Sequence, residues 1–63
     1  MDTIKVNVIS PQNDEAKVYD MPVNVAQLLY KSEKVGYEGA YYEFENKIFE
    51  FIDGTYELSV MLM

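Results

Sequence analysis

Residues 40–63 read AYYEFENKIFEFIDGTYELSVMLM, and this stretch decides the fold because it predicts three consecutive β-strands. Asp53-Gly54 favours a two-residue hairpin, since both central positions of a type I′ turn require positive φ. A second two-residue turn is predicted at Asn46-Lys47, because an even-length turn there keeps the aromatic side chains on one face. The C-terminal stretch is therefore expected to form a three-stranded antiparallel meander.

This register gives the meander one apolar face and one acidic face. The apolar face, which we expect a helix to cover, carries Tyr42, Phe44, Phe49, Phe51, Tyr56, Leu58, Val60 and Leu62. On the opposite face, Glu43, Glu50 and Glu57 are predicted to lie directly abreast. Cross-strand neighbours have Cβ atoms roughly 4.5–5.5 Å apart, and like charges at that separation destabilise a sheet. This row of carboxylates is the feature of the sequence most in need of a functional explanation.

The N-terminal segment predicts two further strands. Residues 3–9 alternate between apolar and polar side chains, which is typical of a half-buried strand. The inward side chains are expected to be Ile4, Val6 and Val8. Residues 16–20 are expected to form a short return strand with Val18 facing inward.

One helix is predicted between these strands and the meander. Asn24 and Gln27 resemble a capping box, the apolar side chains that follow recur at helical spacing, and Gly36 is a suitable residue to end the helix. We place the helix at residues 24–34. The fold class is therefore expected to be α+β, with two layers. One amphipathic helix packs on one face of an antiparallel sheet, in the order β(β)αβββ.

Length and charge narrow the class of protein. The chain has 63 residues, which is expected to make one small domain spanning 1–63, and it contains no Cys, His or Arg. Eleven acidic residues against five lysines give a net charge of −6, which argues against direct binding to nucleic acid or to an anionic membrane. The start of the chain does not resemble a signal peptide, and no apolar window is long enough for a membrane span. We expect a cytoplasmic protein, in its own cell or in a host cell.

Catalysis and cofactor binding are poorly supported by the residues present. Ser10, Ser32 and Ser59 have no His to activate them, and there is no Cys nucleophile or Gly-rich phosphate loop. Three glutamates could share a hard cation such as Ca²⁺, but a flat ladder of side chains does not wrap around an ion. We therefore expect no enzyme activity, no cofactor and no metal.

Binding to another protein is the function that the sequence favours. The acidic face mixes carboxylates with apolar side chains, a composition typical of a recognition surface. The candidate binding residues are Tyr41, Glu43, Glu45, Ile48, Glu50, Ile52 and Glu57. The expected partner is a basic protein surface, including that of a nucleic-acid-binding protein. The chain would then be an inhibitor or DNA mimic of the kind that phages and mobile elements encode.

Two alternatives to this function remain open. The outward face could instead form a homodimer or a larger assembly, with the glutamates as a solvated rim around the interface. It could also be an ordinary solvated surface, because salt screens exposed charges over about 8–10 Å.

Overall fold

The described part of the chain folds into one helix and five strands. A computed structural model describes residues 2–12 and 15–63, apart from the side chain of Ile52. The elements are β1 (Thr3–Ile9), β2 (Lys17–Pro22), α1 (Val23–Lys31), β3 (Lys34–Tyr37), β4 (Ala40–Ile52) and β5 (Thr55–Leu62).

The five strands form one mixed sheet in the spatial order β2-β1-β5-β4-β3. The small α+β fold with one helix is confirmed. The expectation of an entirely antiparallel sheet is wrong, because the central strands β1 and β5 run parallel. These two strands have the most regular apolar alternation, and pairing Val6 with Leu58 and Val8 with Val60 buries both alternations together. Burial of these two apolar alternations therefore favours the pairing of β1 with β5, and this pairing sets the order of the strands in the sheet.

The hairpin at Asp53-Gly54 is confirmed. Asp53 and Gly54 have φ of 49° and 79°, as a type I′ turn requires. The pairing that follows from this turn sets Phe51 opposite Tyr56 and Glu50 opposite Glu57.

The predicted turn at Asn46-Lys47 is wrong, because β4 continues through it. Residues 40–63 therefore form two strands and not three. The antiparallel meander consists of β3, β4 and β5, and its other tight turn lies at Glu38-Gly39, where φ is 50° and 83°. A β-bulge in β4 sets Phe44 opposite Leu62 and Asn46 opposite Met61, so that Glu45 is the extra residue. One extra residue reverses the side-chain parity, and it therefore keeps Phe44 and Phe49 on the same face without a turn.

The helix is shorter than expected and begins one residue earlier. Its N-cap is Pro22, with no side-chain cap hydrogen bond, so the predicted capping box at Asn24 is not formed. Its C-cap is Ser32, whose Oγ donates to the carbonyl of Leu28 at 2.7 Å. A hydroxyl that binds this carbonyl competes with continuation of the helix. Gly36, expected to end the helix, lies in β3 instead.

The buried core lies on the face of the sheet that carries the helix, which we call the inner face. Its apolar members are Ile4, Val6, Val8, Ala26, Tyr42, Leu58, Val60 and Leu62. The expectation for β1 is confirmed, whereas that for Val18 is wrong, since 57% of Val18 is exposed. The register of β2 instead turns Tyr19 and Met21 toward the core.

Side chains from the two edge strands meet because the sheet curls around this core. The hydroxyls of Tyr19 in β2 and Tyr37 in β3 are 2.8 Å apart. Next to them, the Lys17 ammonium contacts the Glu38 carboxylate at 2.6 Å. The hydrogen bond with Tyr19, together with burial, raises the pKa of the Tyr37 hydroxyl well above its ordinary value. The Tyr37 hydroxyl therefore stays protonated at neutral pH.

The aromatic stack of Phe49, Phe51 and Tyr56 lies on the inner face but is not buried, contrary to expectation. Each of the three side chains is more than half exposed, and 62% of Phe51 is exposed. Ring centroids are 5.8 Å apart for Phe49 and Tyr56 and 4.9 Å apart for Phe51 and Tyr56. The helix cannot cover them because nine residues span only about 14 Å, whereas the eight residues of β5 span about 26 Å.

Lys47 should stabilise the fold by holding the C-terminal end of the helix. Its ammonium donates to the carbonyls of Tyr30 and Ser32, both at 2.7 Å, and lies 4.3 Å from the ring centroid of Phe44. We expect Lys47→Met to lower the free energy of unfolding by about 1–2 kcal/mol in urea titrations. The control is Lys31→Met in the same last turn, an exposed side chain with no hydrogen bond or ion pair among the described residues, which should change the free energy of unfolding by less than about 0.5 kcal/mol. Equal losses from the two variants would contradict this role of Lys47.

Candidate functional site

The outer face of the sheet, opposite the helix, carries a row of four charged residues on four adjacent strands. Strand pairing sets Asp20 beside Lys5, Lys5 beside Glu57, and Glu57 beside Glu50. The direct opposition of Glu50 and Glu57 is as predicted. The position of Lys5 next to Glu57 follows from the parallel pairing of β1 with β5.

The third glutamate of the predicted row lies elsewhere. Glu43 pairs with Lys34 of β3. Because β4 is continuous, Glu43 and Glu50 lie seven residues apart along one strand and not opposite each other on two strands. Glu45 is exposed at the bulge. The predicted row of three is therefore wrong, and a pair of opposed carboxylates remains.

The two opposed carboxylates differ in their partners. The side-chain amide of Asn7 donates to Glu57 at 3.4 Å and to the Ser59 hydroxyl at 3.3 Å. Lys5 lies 3.8 Å from Asp20 in an exposed ion pair. Among the residues that the structure describes, Glu50 has no hydrogen bond or ion pair, and it is exposed. The negative charge of Glu50 is thus left to solvent or to a partner.

Apolar side chains surround these charges on the outer face. Tyr41 is 89% exposed and lies against Gly36, where a Cβ would come within 3.4 Å of the ring. Ile48 and Val18 are both exposed, and they lie in the row next to the charged one. Of the predicted site residues, only the side chain of Ile52 lies outside the described part of the structure.

Sequence reasoning missed Val18 as a member of the outer face. It assigned Val18 to the core because the residue is apolar. The alternation of Tyr19 and Met21 is the signal that could have placed Val18 outward, since these two larger side chains share the other face of β2.

A second candidate surface lies on the inner face, between α1 and the β4–β5 hairpin. It is a groove of about 470 Å³ whose apolar lining includes Ile4, Val23, Ala26, Tyr30, Phe49 and Leu58. The aromatic stack continues this apolar surface toward the tip of the hairpin. Sequence reasoning missed the groove because it expected the helix to cover the whole apolar face.

The outer face exposes carboxylates, and the inner face exposes aromatic rings beside an apolar groove. Within residues 2–12 and 15–63, no three Asp or Glu side chains are arranged to hold a metal ion. No helix in the described part of the chain is both long and apolar enough to cross a membrane. What the two surfaces offer is exposed carboxylates, exposed aromatic rings and an apolar groove.

Comparisons with known proteins add no family to this description. No protein-family model, no curated protein and no solved structure matches the chain.

Neutralising Glu50 should stabilise the isolated protein. Glu50→Gln removes the repulsion with Glu57 while keeping the size of the side chain. We expect the free energy of unfolding to rise by a few tenths to about 1 kcal/mol at low salt, with a smaller gain at high salt. The matched control is Glu45→Gln at the exposed bulge, which should show no comparable gain. A loss of stability in Glu50→Gln would mean that the carboxylate is already satisfied within the protein.

Proposed function

We propose that this protein is a non-enzymatic acidic binding protein whose outer sheet face binds a basic surface of a partner protein. The observation that carries the proposal is the opposition of Glu50 and Glu57 on a face that α1 does not cover. This arrangement costs stability in the isolated chain, and a cation supplied by a partner would reverse the cost. The net charge of −6 acts in the same direction, because it attracts basic surfaces at long range.

The apolar side chains beside the carboxylates support binding rather than simple solvation. Tyr41, Ile48 and Val18 offer contact area that charges alone do not provide. In protein interfaces, charge complementarity mainly sets the rate and specificity of association, and buried aromatic and aliphatic groups supply much of the affinity. The combination on this face fits a partner with Lys or Arg next to apolar groups.

An inhibitor of the DNA-mimic type is the concrete form of this proposal. Carboxylates on adjacent strands would occupy the positions that phosphates take in the basic groove of a nucleic-acid-binding protein. Small proteins of this kind suit phages and mobile elements, which regulate host enzymes by blocking them. The support is the acidic composition together with the exposure of Glu43, Glu45 and Glu50.

A homodimer through the outer face is the second candidate, favoured by the 89% exposure of Tyr41. Sedimentation of the purified protein at two salt concentrations separates the two candidates. An apolar homodimer should persist or tighten at high salt. The proposed acidic binding face should leave a monomer that captures basic proteins at low salt and releases them at high salt. A salt-resistant dimer that captures no basic protein would overturn the proposal.

A further inference from the structure

In the part of the chain that the structure describes, no strand pairs with one edge of β4 along the half that approaches the hairpin tip, and we call this the free edge. Strand β3 pairs with β4 only from Ala40 to Glu43, and from Phe44 onward β4 pairs only with β5. In an antiparallel pair, residues alternate between those that bond to the neighbour and those whose backbone groups point away. The two-residue turn at Asp53-Gly54 makes Ile52 and Thr55, which flank it, a hydrogen-bonded pair. Glu50 therefore also bonds to β5, whereas Phe49 and Phe51 point their N–H and C=O groups away from it.

Two hydrogen bonds agree with this alternation. The N–H of Met63 donates to the carbonyl of Glu43 at 2.9 Å, which places Glu43 among the residues that bond toward β5. When the alternation is followed along β4 through the bulge, the backbone N–H and C=O groups of Lys47 point away from β5. The N–H of Lys47 donates to the side-chain oxygen of Asn46 at 2.9 Å. Asn46 therefore closes one end of the free edge. In the described part of the chain, no strand pairs with Phe49 or Phe51 on that side.

Side chains on both faces of the free edge define what could pair with it. On the inner face, Phe49 and Phe51 are exposed and stack on Tyr56. On the outer face, Ile48 and Glu50 are exposed, with Glu57 beside Glu50. A strand added here would set alternate side chains against the aromatic rings and the intervening side chains against Glu50.

We propose that an extended segment of a partner protein, apolar at alternate positions and with Lys or Arg between them, adds as a sixth strand to β4 between Asn46 and Ile52. The inference rests on the proposed function and deepens it by naming the binding mode. Main-chain hydrogen bonds to Phe49 and Phe51 supply the pairing, and the side chains of the added strand supply the specificity.

Charge favours a basic partner over a second copy of this chain. In an antiparallel pairing of β4 with itself, the register that bonds Phe49 of each copy to Phe51 of the other uses the outward N–H and C=O groups of both residues. That register sets the two copies of Glu50 directly opposite each other, beside a Glu57 in each copy. Each copy also carries a net charge of −6. A basic strand in the same place neutralises these carboxylates.

The test uses the whole protein and a capped seven-residue peptide, KFKVKFK, with affinity measured by calorimetry at low salt. The protein variants are Phe51→Pro and Phe51→Ala, a matched pair. Both lose the ring, but only proline removes the outward N–H, and proline is tolerated in a strand where that group faces solvent. We expect Phe51→Ala to weaken binding severalfold and Phe51→Pro to bind at least tenfold more weakly than Phe51→Ala. Equal affinities in the two variants, with amide NMR spectra as dispersed as that of the parent, would overturn the proposal.

A second measurement does not depend on whether Phe51→Pro folds. The same peptide with alternate backbone nitrogens methylated keeps its charges and side chains but loses the N–H donors along one of its two edges. In one of the two methylation registers, binding to the unaltered protein should fall at least tenfold. Undiminished binding of both methylated peptides would overturn strand addition, and a loss of peptide binding in Glu50→Lys would then still support the proposed function. Self-association that Phe51→Pro abolishes, with no peptide binding, would identify a second copy as the occupant and also overturn the proposal.

Discussion

Replacing Leu58 with Ala should unfold a large fraction of the protein at room temperature. Leu58 is 2% exposed and lies on the central strand β5 between Val6 and Phe49. Removing a buried leucine costs about 2–5 kcal/mol, from lost apolar burial and from the cavity left behind. A domain of this size has only about 3–9 kcal/mol in total, from roughly 0.05–0.15 kcal/mol per residue. Urea and thermal unfolding followed by circular dichroism would measure the loss.

The matched control for this prediction is Phe51→Ala. It removes a larger apolar side chain, but one that is 62% exposed. We expect a cost below about 1.5 kcal/mol, since the main loss is its stacking with Tyr56. A cost as large as that of Leu58→Ala would show that Phe51 is buried in solution, either by a shift of the helix or in a contact between copies. A contact between copies would make the unfolding midpoint depend on protein concentration, whereas a shift of the helix within one molecule would not.

Glu50→Lys should abolish the capture of basic proteins at low salt. The substitution places a cation on the outer face, directly opposite Glu57. It should leave the fold intact or slightly more stable, because it converts a repulsion into an attraction. Pull-down assays from a lysate, with the parent and the variant immobilised at equal density, would measure the captured protein. We expect a reduction of at least tenfold.

The control for total charge is Lys31→Glu, on the helix and away from the outer face. This variant is more acidic than the parent, so capture driven by overall charge would increase. Capture through the outer face should change much less than in Glu50→Lys, because Lys31 lies on the helix, which packs on the opposite face of the sheet. If Glu50→Lys captures as much as the parent, the opposed carboxylates are ordinary solvated surface and the proposed function is wrong.

The two hairpin turns show how far local sequence signals reach. Asp53-Gly54 was predictable, since the turn is defined by two adjacent residues and by the apolar runs on either side. Glu38-Gly39 adopts the same positive φ values. It was missed because Glu is uncommon in this conformation and the four-residue strand before it offers little alternation to detect. The position and the bounds of a short edge strand such as β3 are determined by the strand with which it pairs.

The bulge at Glu45 shows where parity alone is not sufficient. Both a two-residue turn and a one-residue bulge keep Phe44 and Phe49 on one face, so the pattern of side chains cannot distinguish them. The structure selects the bulge, which places Lys47 on the inner face within reach of the helix carbonyls. The choice of the bulge also separates Glu43 from Glu50, and so the predicted row of three carboxylates is not formed.

By itself, the sequence determined the class of the fold, the strand β1, the hairpin at Asp53-Gly54 and the opposition of Glu50 and Glu57. Each of these depends on residues that are adjacent or that alternate along one short stretch. Only the tertiary structure decided the parallel pairing of β1 with β5, the free edge of β4 and the exposure of the aromatic stack. These depend on contacts between distant segments and on the length of a nine-residue helix against the sheet it covers. Apolar pattern specifies which face of a strand turns inward, but how much of that face is buried depends on what packs against it.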